Sequence, residues 1–221
     1  MQKSTFECRK LAKYYSHRLV FGNLNFSISS GSSLGILGRN GSGKSTLIKT
    51  ICGLISPSQG DFAFSVSGKE LKSEEYYKHI GFMSPYLNLY DELTALENLE
   101  FFMNLKCPDK PKNEREEKIS SLLESVGLYK RRKDFYKNYS SGMKQRVKLC
   151  FALLNEPELL LLDEPCSNLD KEGIDIVYKY AEEQKQSKML IIATNEESDL
   201  NLCDTTLNIE DFKNTSEKVA K

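Results

Sequence analysis

Gly38-Arg39-Asn40-Gly41-Ser42-Gly43-Lys44-Ser45-Thr46 sets glycine, lysine and hydroxyl residues in the spacing G-x-x-x-x-G-K-[ST]. The β-like run Ser33-Leu34-Gly35-Ile36-Leu37 enters it, and the helix-like run Thr46-Leu47-Ile48-Lys49-Thr50-Ile51-Cys52 leaves it. Glycine lets the backbone wrap closely enough for its N–H groups to face phosphate oxygens, and the following helix start adds partial positive charge. In such a loop Lys44 reaches the β- and γ-phosphates and the Ser45 hydroxyl ligates Mg²⁺, with Asn40, Gly41, Ser42, Gly43 and Thr46 lining the wrap. A glycine turn before an ordinary helix is the plain alternative, and it weakens as the rest of the chain is read.

The length, 221 residues, allows one sizeable core with a smaller lobe attached. Lys+Arg and Asp+Glu both number 31, so the net charge is +0. That balance gives no electrostatic case for nucleic acid as the main partner. The basic run Lys130-Arg131-Arg132-Lys133 reads as a solvated helix end. Cys8, Cys52, Cys107, Cys150, Cys166 and Cys203 are scattered without a C-x-x-C pair and read as reduced thiols of a cytosolic protein. The first residues lack the apolar core of a signal peptide, and no run approaches the ~20 apolar residues that span a bilayer. Action at a membrane is therefore expected to pass through another chain, with this one peripheral on the cytoplasmic face.

The first thirty residues alternate apolar and polar, as in Leu24-Asn25-Phe26-Ser27-Ile28. They predict short antiparallel strands with turns at Gly22-Asn23 and Ser29-Ser30-Gly31. Strands are also expected at 60–66, His79–Met83, Leu159–Leu162 and Met189–Ala193. Thr94 with Glu97 three residues on forms a capping-box pattern that opens a helix. Ile119, Leu122, Leu123 and Val126 share one helical face in a second helix from Glu114, closed by Gly127. The expected architecture is α/β: a P-loop core with a mainly parallel sheet, an N-terminal antiparallel β subdomain and an inserted helical subdomain over 85–150. The whole of 1–221 is read as one domain, with 1–84 and 151–221 supplying the β subdomain and core, and the polar tail after Asp211 frayed or a short helix.

Leu159-Leu160-Leu161-Leu162-Asp163-Glu164-Pro165 is an apolar strand ending in two carboxylates. Burial of the leucines fixes the strand, so its C-terminal end opens at the ligand edge of the sheet. Asp163 is then placed to hold Mg²⁺, directly or through water, and Glu164 to orient an attacking water as general base.

Tyr139-Ser140-Ser141-Gly142-Met143-Lys144-Gln145-Arg146 resembles the signature motif of ABC-type ATPases, usually close to L-S-G-G-Q, and lies just ahead of the strand with the carboxylates. Ser167-Asn168-Leu169-Asp170 resembles that family's D-loop. Tyr15, with Tyr14 as alternative, resembles the aromatic that stacks on adenine. The resemblance runs from Leu11 to Asp204 and implies the nucleotide-binding subunit of an ABC transporter. It further implies that two cassettes, as homodimer or heterodimer, close head to tail on ATP. Each site then takes Lys44, Ser45 and Asp163 from one chain and Ser140 and Gly142 from the other, with Asp170 and Asn195 nearby. Leu93-Thr94-Ala95-Leu96-Glu97-Asn98-Leu99 and the signature run look most like small exporter ATPases, including multidrug or ABC-2-type efflux subunits and the heme-exporter ATPase.

Two positions depart from the family pattern. Pro85 stands where the family has a glutamine that contacts Mg²⁺ and water, and proline offers neither a side-chain polar group nor an N–H. Asn195 stands where the family has a switch histidine, and an amide cannot carry charge or shuttle a proton. The expectation is ATP hydrolysis through Glu164, slowed at these two places, driving a transmembrane permease in export. The alternatives are an ATP-binding subunit with little hydrolysis that acts as a clamp, and an ABC protein that works on nucleic acid.

Overall fold

The computed structural model describes residues 3–213. Strands β1 (Thr5–Tyr15), β2 (Arg18–Ser29), β4 (Gln59–Val66) and β5 (Lys69–Glu70) form an antiparallel sheet in the order β2-β1-β4-β5. A second sheet is wholly parallel, in the order β6-β7-β8-β3-β9, from β3 (Ser32–Leu37), β6 (Ile80–Met83), β7 (Leu159–Asp163), β8 (Met189–Thr194) and β9 (Thr205–Asn208). Helices α1 (Lys44–Ile51), α2 (Ala95–Lys106), α3 (Lys112–Ser125), α4 (Ser141–Leu153), α5 (Lys171–Ser187) and α6 (Glu197–Leu200) complete the fold.

The central strands are continuous apolar runs because both faces of the parallel sheet are covered. Alternate residues supply two cores. Leu159, Leu161, Met189, Ile191 and Ala193 join α1 and the antiparallel sheet, while Leu160, Leu162, Leu190 and Ile192 join α2, α3 and α4. All four leucines of β7 are fully buried, each worth roughly 2 kcal/mol in transfer from water. This burial locks β7 in the middle of the sheet and holds its carboxylate end in place.

The expected turn at Gly22-Asn23 is not a turn. β2 runs through it, and the β1–β2 pairing slips register nearby, between Cys8 and Leu11 and again to Lys13. Asn23 adopts φ 50° and Asn25 Nδ2 donates to its carbonyl at 2.8 Å, so a side chain meets the backbone need and the strand bulges without reversing. The reversal lies at Ser16-His17, between the paired Tyr15 and Arg18, with Ser16 at φ 54°. The two N-terminal strands are accordingly long, 11 and 12 residues.

The capping box at Thr94 forms as expected, with Glu97 N–H donating to Thr94 Oγ1 at 3.1 Å and Thr94 N–H donating to Glu97 at 2.7 Å. α3 starts at Lys112, two residues ahead of Glu114, and ends before Gly127 at φ 71°. Beyond β9 a single 3-10 turn spans Ile209–Phe212. Of the tail after Asp211, expected to be frayed or a short helix, Phe212 closes this turn, and 214–221 lie outside the described residues.

Candidate nucleotide site

Sheet register brings the site residues to one edge. Met83 pairs with Leu162, Asp163 with Ala193, Leu37 with Thr194 and Leu37 with Asn208. The residues that follow these strands therefore stand in a row at the C-terminal edge, where open parallel sheets bind ligands. Ser84, Glu164, Asn195, Gly38 and Ile209 occupy that row.

The glycine loop wraps as its sequence demands. Gly38, Gly41 and Gly43 have φ of 154°, 76° and 114°. A Cβ on Gly38 would lie 2.4 Å from Ser42 Oγ, and one on Gly43 2.6 Å from Val20 Cγ1, so neither position admits a side chain. Asn40 through Thr46 line a cleft of about 530 Å³ together with Tyr15, Tyr86, Arg18, Lys213 and Glu164. Tyr15 is half exposed, with Lys13 Nζ 5.2 Å from its ring centroid. Tyr14 does not line the cleft.

Lys44 is 4% exposed and donates to the carbonyls of Gly38 at 2.8 Å and Arg39 at 3.4 Å, with Glu164 Oε1 3.8 Å away. Ser45 Oγ donates to Asp163 Oδ1 at 3.1 Å, and Ser84 Oγ donates to Asp163 Oδ2 at 3.1 Å. Burial pushes the Asp163 carboxyl above the usual carboxylate range; the two serine hydrogen bonds pull it back, and Glu164 pushes the same way as burial. Glu164 sits at φ 46°, a left-handed conformation uncommon for a side-chain-bearing residue, and its N–H donates to Ala193 O at 2.8 Å.

A triphosphate with Mg²⁺ fits this set. Ser42 Oγ is buried inside the loop with no hydrogen-bond partner among the described residues, a group that an incoming acceptor would satisfy. Hydroxyl and carboxylate oxygens at Ser45 and Asp163 are the donor type a hard cation takes. The start of α1 is also open: Gly43 at its N-cap supplies no side-chain hydrogen bond, and its first turn holds no acid.

Ser140 and Gly142 lie elsewhere and do not line the cleft. Ser140 caps α4, accepting from Met143 N–H at 3.2 Å. A Cβ on Gly142 would meet Asn168 O at 3.2 Å, so the signature loop packs on the D-loop. Asp170 caps α5 through Gly173 N–H at 2.9 Å and pairs with Arg146 at 2.7 Å, contacts that hold its carboxyl below the usual range. Asn195 is exposed at the rim of a neighbouring groove with Gly38 and Asn40, and at the mouth of a cavity with Glu164 and Ser167. Pro85 O accepts from Lys148 Nζ at 2.6 Å, and burial lowers that ammonium from the ordinary lysine value.

Ser84, Arg18, Tyr86 and Lys213 were not singled out by sequence. For Ser84 a signal existed: a serine one residue past a strand that pairs with the carboxylate strand. The other three reach the cleft through the hairpin, the loop after β6 and the C-terminal turn, which no local pattern ties to the glycine loop.

Fold and site together define a P-loop nucleotide-binding protein. A family model described as ABC transporter matches residues 21–167, and the chain belongs to that family as an ATP-binding protein. The linearmycin resistance ATP-binding protein LnrL of Bacillus subtilis (strain 168) is 34% identical over 191 residues, covering 86% of this chain and 60% of LnrL. The ABC transporter ATP-binding protein YybJ of the same organism, itself uncharacterised, is 30% identical over 217 residues, 96% of each chain. A solved ATP-binding subunit of an ABC transporter superposes with TM-score 0.82 at 30% identity, over 92% of this chain and 85% of that one. The chain spans 60% of LnrL's length and 55% of that of two other relatives.

Proposed function

We propose that this chain is the ATP-hydrolysing motor subunit of a membrane transporter, working in export from the cytoplasmic face with a transmembrane permease as partner. Among the described residues no helix is long and apolar enough to cross a membrane, so a separate permease carries the transport path in this reading. The observation that carries the proposal is the division of the site. Lys44, Ser45, Asp163 and Glu164 converge within one chain, while Ser140 and Gly142 sit apart at the start of another helix.

Among the α-helices of the described residues, α1 and α4 have no acidic residue in the first turn, whereas α2, α3, α5 and α6 carry Glu97, Glu114, Glu172 and Glu197. An acid at a helix start is stabilising, so its absence leaves both starts suited to an anion. A second cassette, most simply another copy, presents its α4 to the triphosphate held at α1. ATP then favours the closed pair because it contacts both chains only in that state.

Within the cleft, Lys44 binds phosphate oxygens once it leaves the Gly38 and Arg39 carbonyls, and Ser45 and Asp163 hold Mg²⁺. Mg²⁺ supplies charge neutralisation at the phosphate oxygens when bound. Glu164 orients a water and takes its proton. Tyr15 stands against the base. Pro85 and Asn195 leave the γ-phosphate side without a glutamine amide or an imidazole, and loss of one such contact costs about 3 kcal/mol, on the order of a hundredfold in rate. Hydrolysis is therefore slow.

Steady-state phosphate release tests this reading. The expected result is weak Mg²⁺-dependent turnover that Glu164→Gln removes and Asn195→His raises. Turnover equal to that of Lys44→Ala, measured with the permease present, establishes the second reading, an ATP-binding clamp with little hydrolysis. The exposed, uncharged Asn195 and the Pro85 carbonyl already taken by Lys148 favour that second reading.

A further inference from the structure

The parallel register of β3 and β9 has an effect on the glycine loop. Leu37 pairs with Asn208, so Gly38 runs beside Ile209 and Arg39 beside Glu210. Ile209 is fully buried, and its side chain packs where a Cβ would project from Gly38, 2.8 Å away, and from Gly43, 3.6 Å away. Glu210 Oε1 accepts the backbone N–H of Arg39 at 3.0 Å. Asn208 Oδ1 in turn accepts Glu210 N–H at 3.0 Å, which fixes the start of the turn.

The Gly38–Arg39 peptide is thereby held at both ends. Its carbonyl accepts from Lys44 Nζ at 2.8 Å, and its N–H donates to Glu210. A peptide group next to a glycine with φ 154° rotates at little steric cost, so its orientation rests on these two partners. The pair also fixes which way the carbonyl points, and with it where Lys44 waits before phosphate arrives. The same turn delivers Lys213 to the wall of the cleft.

We infer that Glu210 is a positioning residue for nucleotide binding: it orients the Gly38–Arg39 peptide, which keeps the backbone of the glycine loop in the form that receives phosphate. The inference rests on the assignment of the ATP site to this same loop and extends it to the C-terminal turn. The contact needs an acceptor, not a charge. Glu210→Gln keeps an acceptor oxygen, whereas Glu210→Ala removes it.

The test is calorimetric titration of the full chain with ATP and Mg²⁺. Glu210→Ala is expected to weaken ATP about five- to tenfold, the usual net worth of one intramolecular hydrogen bond, while Glu210→Gln stays within about twofold of the parent. A residue that served folding alone would lower the melting temperature of the nucleotide-free protein and leave affinity of the folded fraction unchanged. Equal or tighter binding by folded Glu210→Ala overturns the inference, as does a Glu210→Gln loss as large as that of alanine. Lys44→Ala separates the two levels: if it binds ATP like the parent, the site assignment fails, and if it does not while Glu210→Ala does, only the role of Glu210 fails.

Discussion

The starts of α1 and α4 are made of similar parts and finished differently. Both lack an acid in the first turn, and both stand beside a glycine and a serine. At α1 the cap is Gly43 in a left-handed conformation, which offers no side chain, so the helix start stays open toward the cleft that holds Lys44. At α4 the cap is Ser140, whose hydroxyl already accepts Met143 N–H. An open start is a site that its own chain completes with a lysine, a serine and two carboxylates. A capped start folds as a finished helix outside that cleft, so in this account the triphosphate it meets is held by another chain.

The largest effect that could break this contrast is at α1. Lys44→Ala is expected to weaken ATP on the order of a hundredfold, the cost of a charge-assisted contact to phosphate left unmade. An unchanged dissociation constant by calorimetry would place the triphosphate elsewhere. Glu164→Gln comes next. Its turnover should fall on the order of a hundredfold or more while ATP binding persists, and parallel phosphate-release and binding assays read the two apart.

Ser140→Ala addresses the other helix. Loss of the cap should cost about 1 kcal/mol of stability, seen in chemical unfolding, with ATP affinity of the isolated chain unchanged. A weakened ATP affinity in the isolated chain would mean that α4 serves its own cleft, and the contrast would be lost.

The smallest effect lies at Asp163. Its carboxyl is raised above the ordinary value, chiefly by burial. A raised group contributes fully below its unfolded-state pKa, and that contribution is lost as pH rises through the folded value. At neutral pH the buried carboxylate is thus a net cost to the nucleotide-free fold. Asp163→Asn should raise the melting temperature by a few degrees at pH 7, with the gain shrinking as pH drops into the carboxylate range. A lower melting temperature at pH 7 would show that the Ser45 and Ser84 hydrogen bonds outweigh burial.

The chemistry-bearing runs were legible because each is a local pattern. The glycine loop, the strand with Asp163 and Glu164, and the capping box at Thr94 specify backbone conformation within a few residues. Tyr15 lines the cleft beside the glycine loop, although its own stretch carries no pattern that ties it there. Gly22-Asn23 misled because glycine and asparagine permit both a turn and a bulge, and only cross-strand pairing decides between them. Ser84 and Glu210 depend on the register of strands distant in sequence, Met83 beside Leu162 and Asn208 beside Leu37. Four residues of β9, Thr205–Asn208, carry too short a pattern to announce a strand at all.

The pairing of one chain's α1 with another's α4 is measured most directly by analytical ultracentrifugation of Glu164→Gln, in which bound ATP is spared. With ATP and Mg²⁺ the sedimenting mass should double, it should stay that of one chain with ADP, and Ser140→Ala should shift the transition to higher protein concentration. A protein saturated with ATP that sediments as a single chain at every concentration would contradict the account.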